Sequence, residues 1–489
     1  MAYQHGVYTS EVETALSTAP AVDASLPFVV GASRASFGPK IVSSWRQFVD
    51  LSGTTDADLV PGSDGWFNHS LVSFAYFWFR IAGRGECIMQ GLASAGLTNG
   101  KSDLSVNDIL GAIDSLDTIY ERTRREPSIL CVPYFAKTAA IQAAMYGKMA
   151  QYGGRFKGIA LCDLPVSRCA LSDQSITLVD DPDDALAAKA SSSPYLCVSW
   201  PYGGVDDFRF DFSTVLAAVM NRVDGQNGSL PFVSPSNKNA YITGLYAQSA
   251  VPVKTWDGCV LDSTAITEGT PVLVDSAAIT PEGGLVYSSP ENPDAEFVAG
   301  DSGEGVMVLC VVDASDIDVT PFSVKAEYAV GMNVSESPVF MNRDDVNTKL
   351  DGNGIVSALN TADGWAVWGN NTAAYPGSTD VKDYLISIRR MFNYVQNLLQ
   401  IWAAPRIDNP LNRRQLEGVV NSFNQILASL QGFGALNAAS IALDDERNTT
   451  EKLMAGVVYF RIRIAPPPPM KEIHGVFEYD VIGFEASIA

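Results

Sequence analysis

The stretch AGLTNGKS (95–102) comes closest in residue type and spacing to doing chemistry. A Gly-rich loop followed by Lys and a hydroxyl can wrap phosphates in backbone N–H groups, with the Lys on the terminal phosphates and the hydroxyl on Mg²⁺. Lys101 and Ser102 would take those roles, and GIALCD (158–163) resembles an apolar strand ending in a metal-binding aspartate, Asp163. Two features weaken this reading. Ala95 stands where the pattern has its first glycine, and the helix that must begin at once could start near Asp103 or only at Asn107. The plainer reading is a surface turn carrying a lysine. His5, His69 and His474 are far apart, and none sits at ligand spacing from a cysteine, although folding could bring one beside a Ser and an Asp. No GxSxG or HExxH occurs, and the carboxylates at 180–184 and 444–446 read as helix caps or solvated loops. The expectation is therefore no catalytic residue, no cofactor and no metal.

The elements that would position such residues are bounded by composition. A length of 489 residues suggests roughly three domains, and 47% hydrophobic residues can fill their cores. A net charge of −22 with no basic stripe argues against nucleic acid and for partners with basic or mixed surfaces. The most apolar run, LVSFAYFWFRIA (71–82), is short and contains Arg80, so a buried strand or helix is expected and no membrane insertion. The opening MAYQHGVYTSEVE lacks a charged and an apolar signal region, which leads us to expect a soluble chain made in a cytoplasm. Seven cysteines form no CxxC pair and mostly lie in apolar runs, as reduced core residues do.

Along the chain, residues 129–200 alternate continuous apolar strands (ILCVPYF, FKGIALCDLP, YLCVSWP) with helices, which predicts a mixed or parallel sheet covered on both faces. Residues 251–340 change texture to short Val/Thr-rich runs between Gly, Pro and Asp, which predicts an inserted all-β domain. From 381 an apolar stripe predicts a helix broken at Pro405, then a second helix capped by Asn409 and ending at Gly432. Arg389, Arg390, Arg413 and Arg414 fall on these helices, either as solvated charges or as a docking feature.

The two ends share a pattern. VVYFRIRIA (457–465) alternates as a half-buried strand, then four prolines carry the chain roughly 12 Å without donating a hydrogen bond. EIHGVFEYDV (472–481) alternates again, and the stiff spacer disfavours a hairpin back onto its own strand. GVYTSEV (6–12) followed by a small-residue tether has the same form. Strands on tethers suit donation to neighbouring copies.

Four stretches then carry a resemblance: GVYTSEVE with PFVVGASR; the run at 215–245 with Arg222, Asp224, Gly228, Pro235 and Asn237; the run at 345–372 with Gly354, Ile355, Trp368, Gly369 and Thr372; and ERNTTEKLMAGVVYFRIRIAPPPPMKEI. In that order they resemble the sheath proteins of contractile phage tails, which are related to R-type bacteriocin and type VI secretion sheaths. Asn371 departs from the pattern's arginine, and Ser236 stands inside its "PAN" run. The resemblance leaves out about 251–340.

The resemblance implies an α/β multidomain subunit without enzymatic activity, in a helical homopolymer of hexameric rings around a tail tube. Its partners would be the tube protein, baseplate and tail terminator proteins, and its place the virion tail, assembled in the host bacterial cytoplasm. Residues 1–24 would form an N-terminal arm, 25–250 an outer α/β domain, 251–340 a peripheral β-rich insertion and 341–489 the inner domain. Val7, Tyr8 and Thr9, with Phe477, Glu478 and Tyr479, would be exchanged-strand residues. Arg413 and Arg414, then Arg389 and Arg390, would be tube contacts. The alternatives are a nucleotide-binding enzyme using Lys101 and Ser102, and a non-contractile virion or adhesive protein.

Overall fold

The computed structural model describes residues 22, 24–61, 65–96, 103–164, 182–247 and 339–479, and between 248 and 338 the backbone of the strands. Its centre is a nine-stranded sheet. Six strands come first in the chain: β1 (Pro27–Ser33), β2 (Phe37–Val42), β3 (Cys87–Ala93), β4 (Ile129–Cys131), β5 (Ile159–Asp163) and β6 (Leu196–Ser199). They lie in the order β2-β3-β1-β4-β5-β6, parallel except for β2 at the edge. Ile355–Thr361 continues the sheet parallel to β6, and Gly364–Trp368 and Lys238–Asn239 close it antiparallel.

The continuous apolar runs follow from burial on both faces. On β4 and β5, Leu130, Ala160 and Cys162 belong to one core, while Ile129, Cys131, Ile159 and Leu161 belong to the other. Helices Val106–Asp114 and Ala139–Ala150 cover the first face. The run from Ser70 to Ile81 and helix Phe212–Gln226 cover the second. Apolar residues lie all round the helix 212–226 (Val215, Leu216, Val219, Met220), as expected of a helix buried on every side. Cys87, Cys131, Cys162 and Cys197 are free and buried. No helix among the described residues is long and apolar enough to cross a membrane.

The division expected at residue 340 cuts through this sheet. Strands 355–361 and 364–368 complete the α/β body because Ile355 and Val356 pair with Val198 and Ser199 of β6. The stretch 251–340 leaves and returns through one antiparallel ladder, Gly244–Trp256 against Ala329–Pro338. The segments described between the two arms of that ladder are all strands.

A third core holds the remainder. Met391, Val395, Leu398 and Trp402 of helix Ile386–Ala403 face Phe423, Leu427 and Leu430 of helix Arg413–Gly432. Both helices differ from expectation at their starts. Leu385 is extended, which separates a short turn at Val381–Tyr384 from the first helix. Asn412 caps the second helix, its Oδ1 accepting from the Gln415 N–H at 2.9 Å, so Asn409 and Pro410 stay in the loop.

Candidate functional site

The residues nearest to chemistry are held in structural roles. Of AGLTNGKS only Ala95 and Gly96 are described; Lys101 and Ser102 lie outside the described residues. The following helix begins at Val106, and its free N–H groups meet a capping box between Ser105 and Asp108. Asp103 accepts from the Ser94 hydroxyl and the Ala95 N–H, so its carboxylate closes the loop. Asp163 ends β5 as expected but is 3% exposed, accepting from the Ser199 hydroxyl and the Ser213 N–H. Folding does bring His69 near Asp58 (3.6 Å), but its Nε2 meets the Ser94 backbone carbonyl while the Ser94 hydroxyl serves Asp103. No Ser–His pair results at His69 among the described residues. Among the described residues no group of three His, Cys, Asp or Glu could hold a metal ion.

The distinctive geometry lies between residues 438 and 479. Ala438–Leu443 and Phe460–Ala465 form a two-stranded antiparallel sheet. Phe460, Ile462 and Ile464 pack on the third core, whereas Arg461 and Arg463 point outward, as the alternation predicts. The excursion between the strands is braced by Asn448, whose amide exchanges two bonds with the Tyr459 backbone at 2.7 Å each. Asp444 accepts from Arg461 and ties its root to the second strand.

The two edges of this sheet differ. On the first strand the side chain of Asn424 satisfies both backbone groups of Ile441. On the second strand, the bond from Asp444 N–H to Tyr459 O sets the ladder so that the backbone groups of Phe460, Ile462 and Ile464 face outward. Among the described residues no strand lies on that edge. An open edge of this kind is a template for another chain.

The proline run continues directly from the open strand. Pro466 is buried and Pro468 exposed, and a groove of about 790 Å³ separates the run from Trp368, Tyr375 and their neighbours. Lys471 closes the groove, its Nζ donating to Asn371 Oδ1 at 2.8 Å. Beyond it the chain lies outside any strand or helix, with Ile473 84%, Val476 86% and Phe477 97% exposed. Phe477, Glu478 and Tyr479 therefore sit on a projecting apolar segment. Val7, Tyr8 and Thr9 lie outside the described residues, and the first residues that are described, Val22 and Ala24, are buried.

The four arginines separate into two environments. Arg413 is 93% exposed with Glu417 as its partner at 2.7 Å, and Arg414 is exposed beside it. Arg389 and Arg390, expected to face a partner, are instead buried at 4% exposure each. Arg390 forms an ion pair with Asp224 and donates to the Ala24 carbonyl; Arg389 bonds Asn393 and Asp383. The Arg390 guanidinium joins the long helix to helix 212–226 and to the entering chain, while Arg389 ties the helix to the turn at Val381–Tyr384. Burial pushes the Asp224 carboxyl up, against the pull of Arg390. Sequence reasoning missed Lys471 and its Asn371–Asp351 seat; a lysine two residues after a proline run, with Met470 between, was the available signal.

No family model matches the chain. It is 27% identical over 156 residues to a tail sheath protein of Burkholderia phage BcepMu, a match covering 31% of this chain and 32% of that protein. It is 23% identical over 141 residues to a putative prophage major tail sheath protein of Pseudomonas aeruginosa, covering 28% of this chain and 36% of that one. The matches thus span about a third of these relatives' length. Across nearly its whole length (98% of this chain and 100% of the other) it superposes on a chain from the contracted helical sheath of the anti-feeding prophage, with a TM-score of 0.55 at 16% identity. The chain is thus similar over about a third of its length to phage tail sheath proteins, and it shares the fold of contractile-sheath subunits.

Proposed function

We propose that this chain is the structural subunit of a contractile tail sheath: it polymerises as stacked hexameric rings around a tail tube and contracts to drive the tube through an envelope. One observation carries the reading. An open strand edge at Phe460–Ala465 and an exposed apolar segment at 470–479 occur in one chain, separated by a stiff spacer. The spacer keeps the segment from folding back, so a second copy supplies the edge it needs. Each docked strand of about five residues gains roughly 1 kcal/mol per backbone hydrogen bond, and repetition through a lattice makes a mesh that can shift without dissociating.

In this reading the arm at 1–24 supplies Val7, Tyr8 and Thr9 to such a mesh, and the C-terminal segment supplies Phe477, Glu478 and Tyr479. Arg413 and Arg414 face the tube protein, and the insertion decorates the periphery. Baseplate and tail terminator proteins close the two ends of the polymer, and the particle assembles in the host bacterial cytoplasm. The chain needs no nucleotide, because the extended lattice itself stores the energy.

Negative-stain electron microscopy of concentrated full-length protein tests this. Hollow tubes with a regular lattice are expected. Deleting residues 471–489 should leave a folded chain that forms none; tubes from the truncated chain, or its unfolding, would refute the role of the terminal segment.

A further inference from the structure

We infer that Lys471 is a positioning residue, latching the proline strap to the α/β body through Asn371 and so setting where residues 472–479 leave the chain. The assembly consequence rests on the sheath reading, whereas the latch itself does not.

The seat is fully determined before the lysine arrives. Asn371 is 2% exposed, and its amide N donates to the Asp351 carbonyl at 2.8 Å and to Asp351 Oδ1 at 2.9 Å. With both donor bonds directed at Asp351, the Asn371 amide oxygen points to the strap, where only a donor can satisfy it. Lys471 supplies that donor, and its ammonium also lies 5.7 Å from the ring centres of Tyr375 and Tyr384. The same ammonium is the cation for Asp351. Burial pushes that carboxyl up and Lys471 pulls it back, with help from the Asn370 N–H and Asn371.

The spacing makes one contact enough. Four prolines remove most backbone freedom between the open strand and Met470, so fixing residue 471 fixes both ends of the strap. Residues 472–479 are exposed, and their direction is inherited from the latch. A segment already held in place loses less freedom when it docks on a neighbouring edge than one on a free tether.

The test compares full-length wild type, Lys471→Met and Lys471→Arg. Met keeps the apolar stem and removes the donor; Arg restores donor and charge. In dilute, dispersed protein, chymotryptic cleavage after Phe477 is followed by mass spectrometry, and tube formation is followed separately by light scattering and microscopy. Cleavage in Lys471→Met should be about threefold faster, the scale of one partly exposed charge-assisted bond. Its tube formation should slow by at least that factor, and Lys471→Arg should stay close to wild type in both. Unchanged cleavage in Lys471→Met overturns the latch whether or not tubes form. Faster cleavage with tubes at the wild-type rate overturns the positioning role. Faster cleavage alongside a wild type that never forms tubes leaves the latch standing and overturns the reading in which this chain polymerises without a template.

Discussion

Asp163 ends a parallel strand, the place where open α/β sheets hold ligands, yet its surroundings give it a packing role. The Ser199 hydroxyl and Ser213 N–H bind one oxygen, and the neighbouring charges are Asp211 and Lys137. Lys137 sits 2.8 Å from Asp211 and among the rings of Trp66, Tyr134 and Tyr202. Burial, then repulsion from Asp211, push the Asp163 carboxyl from 3.8 up to about 6. A carboxyl raised in the fold binds its proton more tightly there than in the unfolded chain. Its stabilising effect is therefore complete below about pH 4 and lost as pH rises through about 6. Asp163→Asn keeps an acceptor for both donors and does not titrate. The stability of wild type relative to this variant should fall between about pH 4 and 6, by on the order of 1–3 kcal/mol. Urea unfolding at several pH values measures it, and a difference that is flat with pH would show that Asp163 stays charged. Arg390→Ala, which strands Asp224 as a buried charge, should cost about 3–5 kcal/mol at neutral pH by the same measurement.

Helix Arg413–Gly432 divides along its length. Its second half buries Phe423, Ile426, Leu427 and Leu430 under the hairpin, while its first turn is exposed and carries Arg413 and Arg414. The double variant Arg413→Glu, Arg414→Glu should thus shift stability by no more than about 0.5 kcal/mol. If this turn faces a tube, the same variant should no longer co-sediment with it. Unchanged co-sedimentation would move the contact elsewhere. This helix also shows what could be read from sequence and what could not. Its apolar stripe at 416, 419, 420, 423, 426, 427 and 430 was legible because periodicity reports which face is buried. Which arginines are free was not legible, because Arg389 and Arg390 lie on a helix clamped from a second side by a helix about 166 residues earlier, through Asp224. The alternation of Phe460–Ala465 was legible for the same local reason, whereas its open edge was not, because the sequence pattern placed the unpaired edge on the terminal stretch 472–481. The sheet crossing residue 340 was hidden, since strand neighbours are a long-range property that the local texture of a β insertion obscures. Lys471 escaped notice because its seat is assembled from residues about 100 positions away.

At the scale of the whole molecule, charge opposes the assembly that the strands favour. Each chain carries −22, so bringing copies together in a lattice accumulates like charge. In the proposed docking one local pairing would work the other way: the outward Arg463, and Arg461 beyond its own partners Asp444 and Glu446, against acidic residues such as Glu478 of the docking segment. Salt separates the two contributions. Raising ionic strength from about 0.01 to 0.15 M shortens the screening length from about 30 to 8 Å, which removes long-range repulsion first. Backbone hydrogen bonds and the apolar contacts of Ile473 and Phe477 are little affected. The protein concentration at which tubes appear should therefore fall as salt rises across this range, read by light scattering. The opposite trend would mean that arginine–carboxylate attraction, and not strand pairing, dominates docking. Charge reversal at Arg461 and Arg463 would then abolish tubes at every ionic strength, whereas strand pairing predicts that high salt restores them.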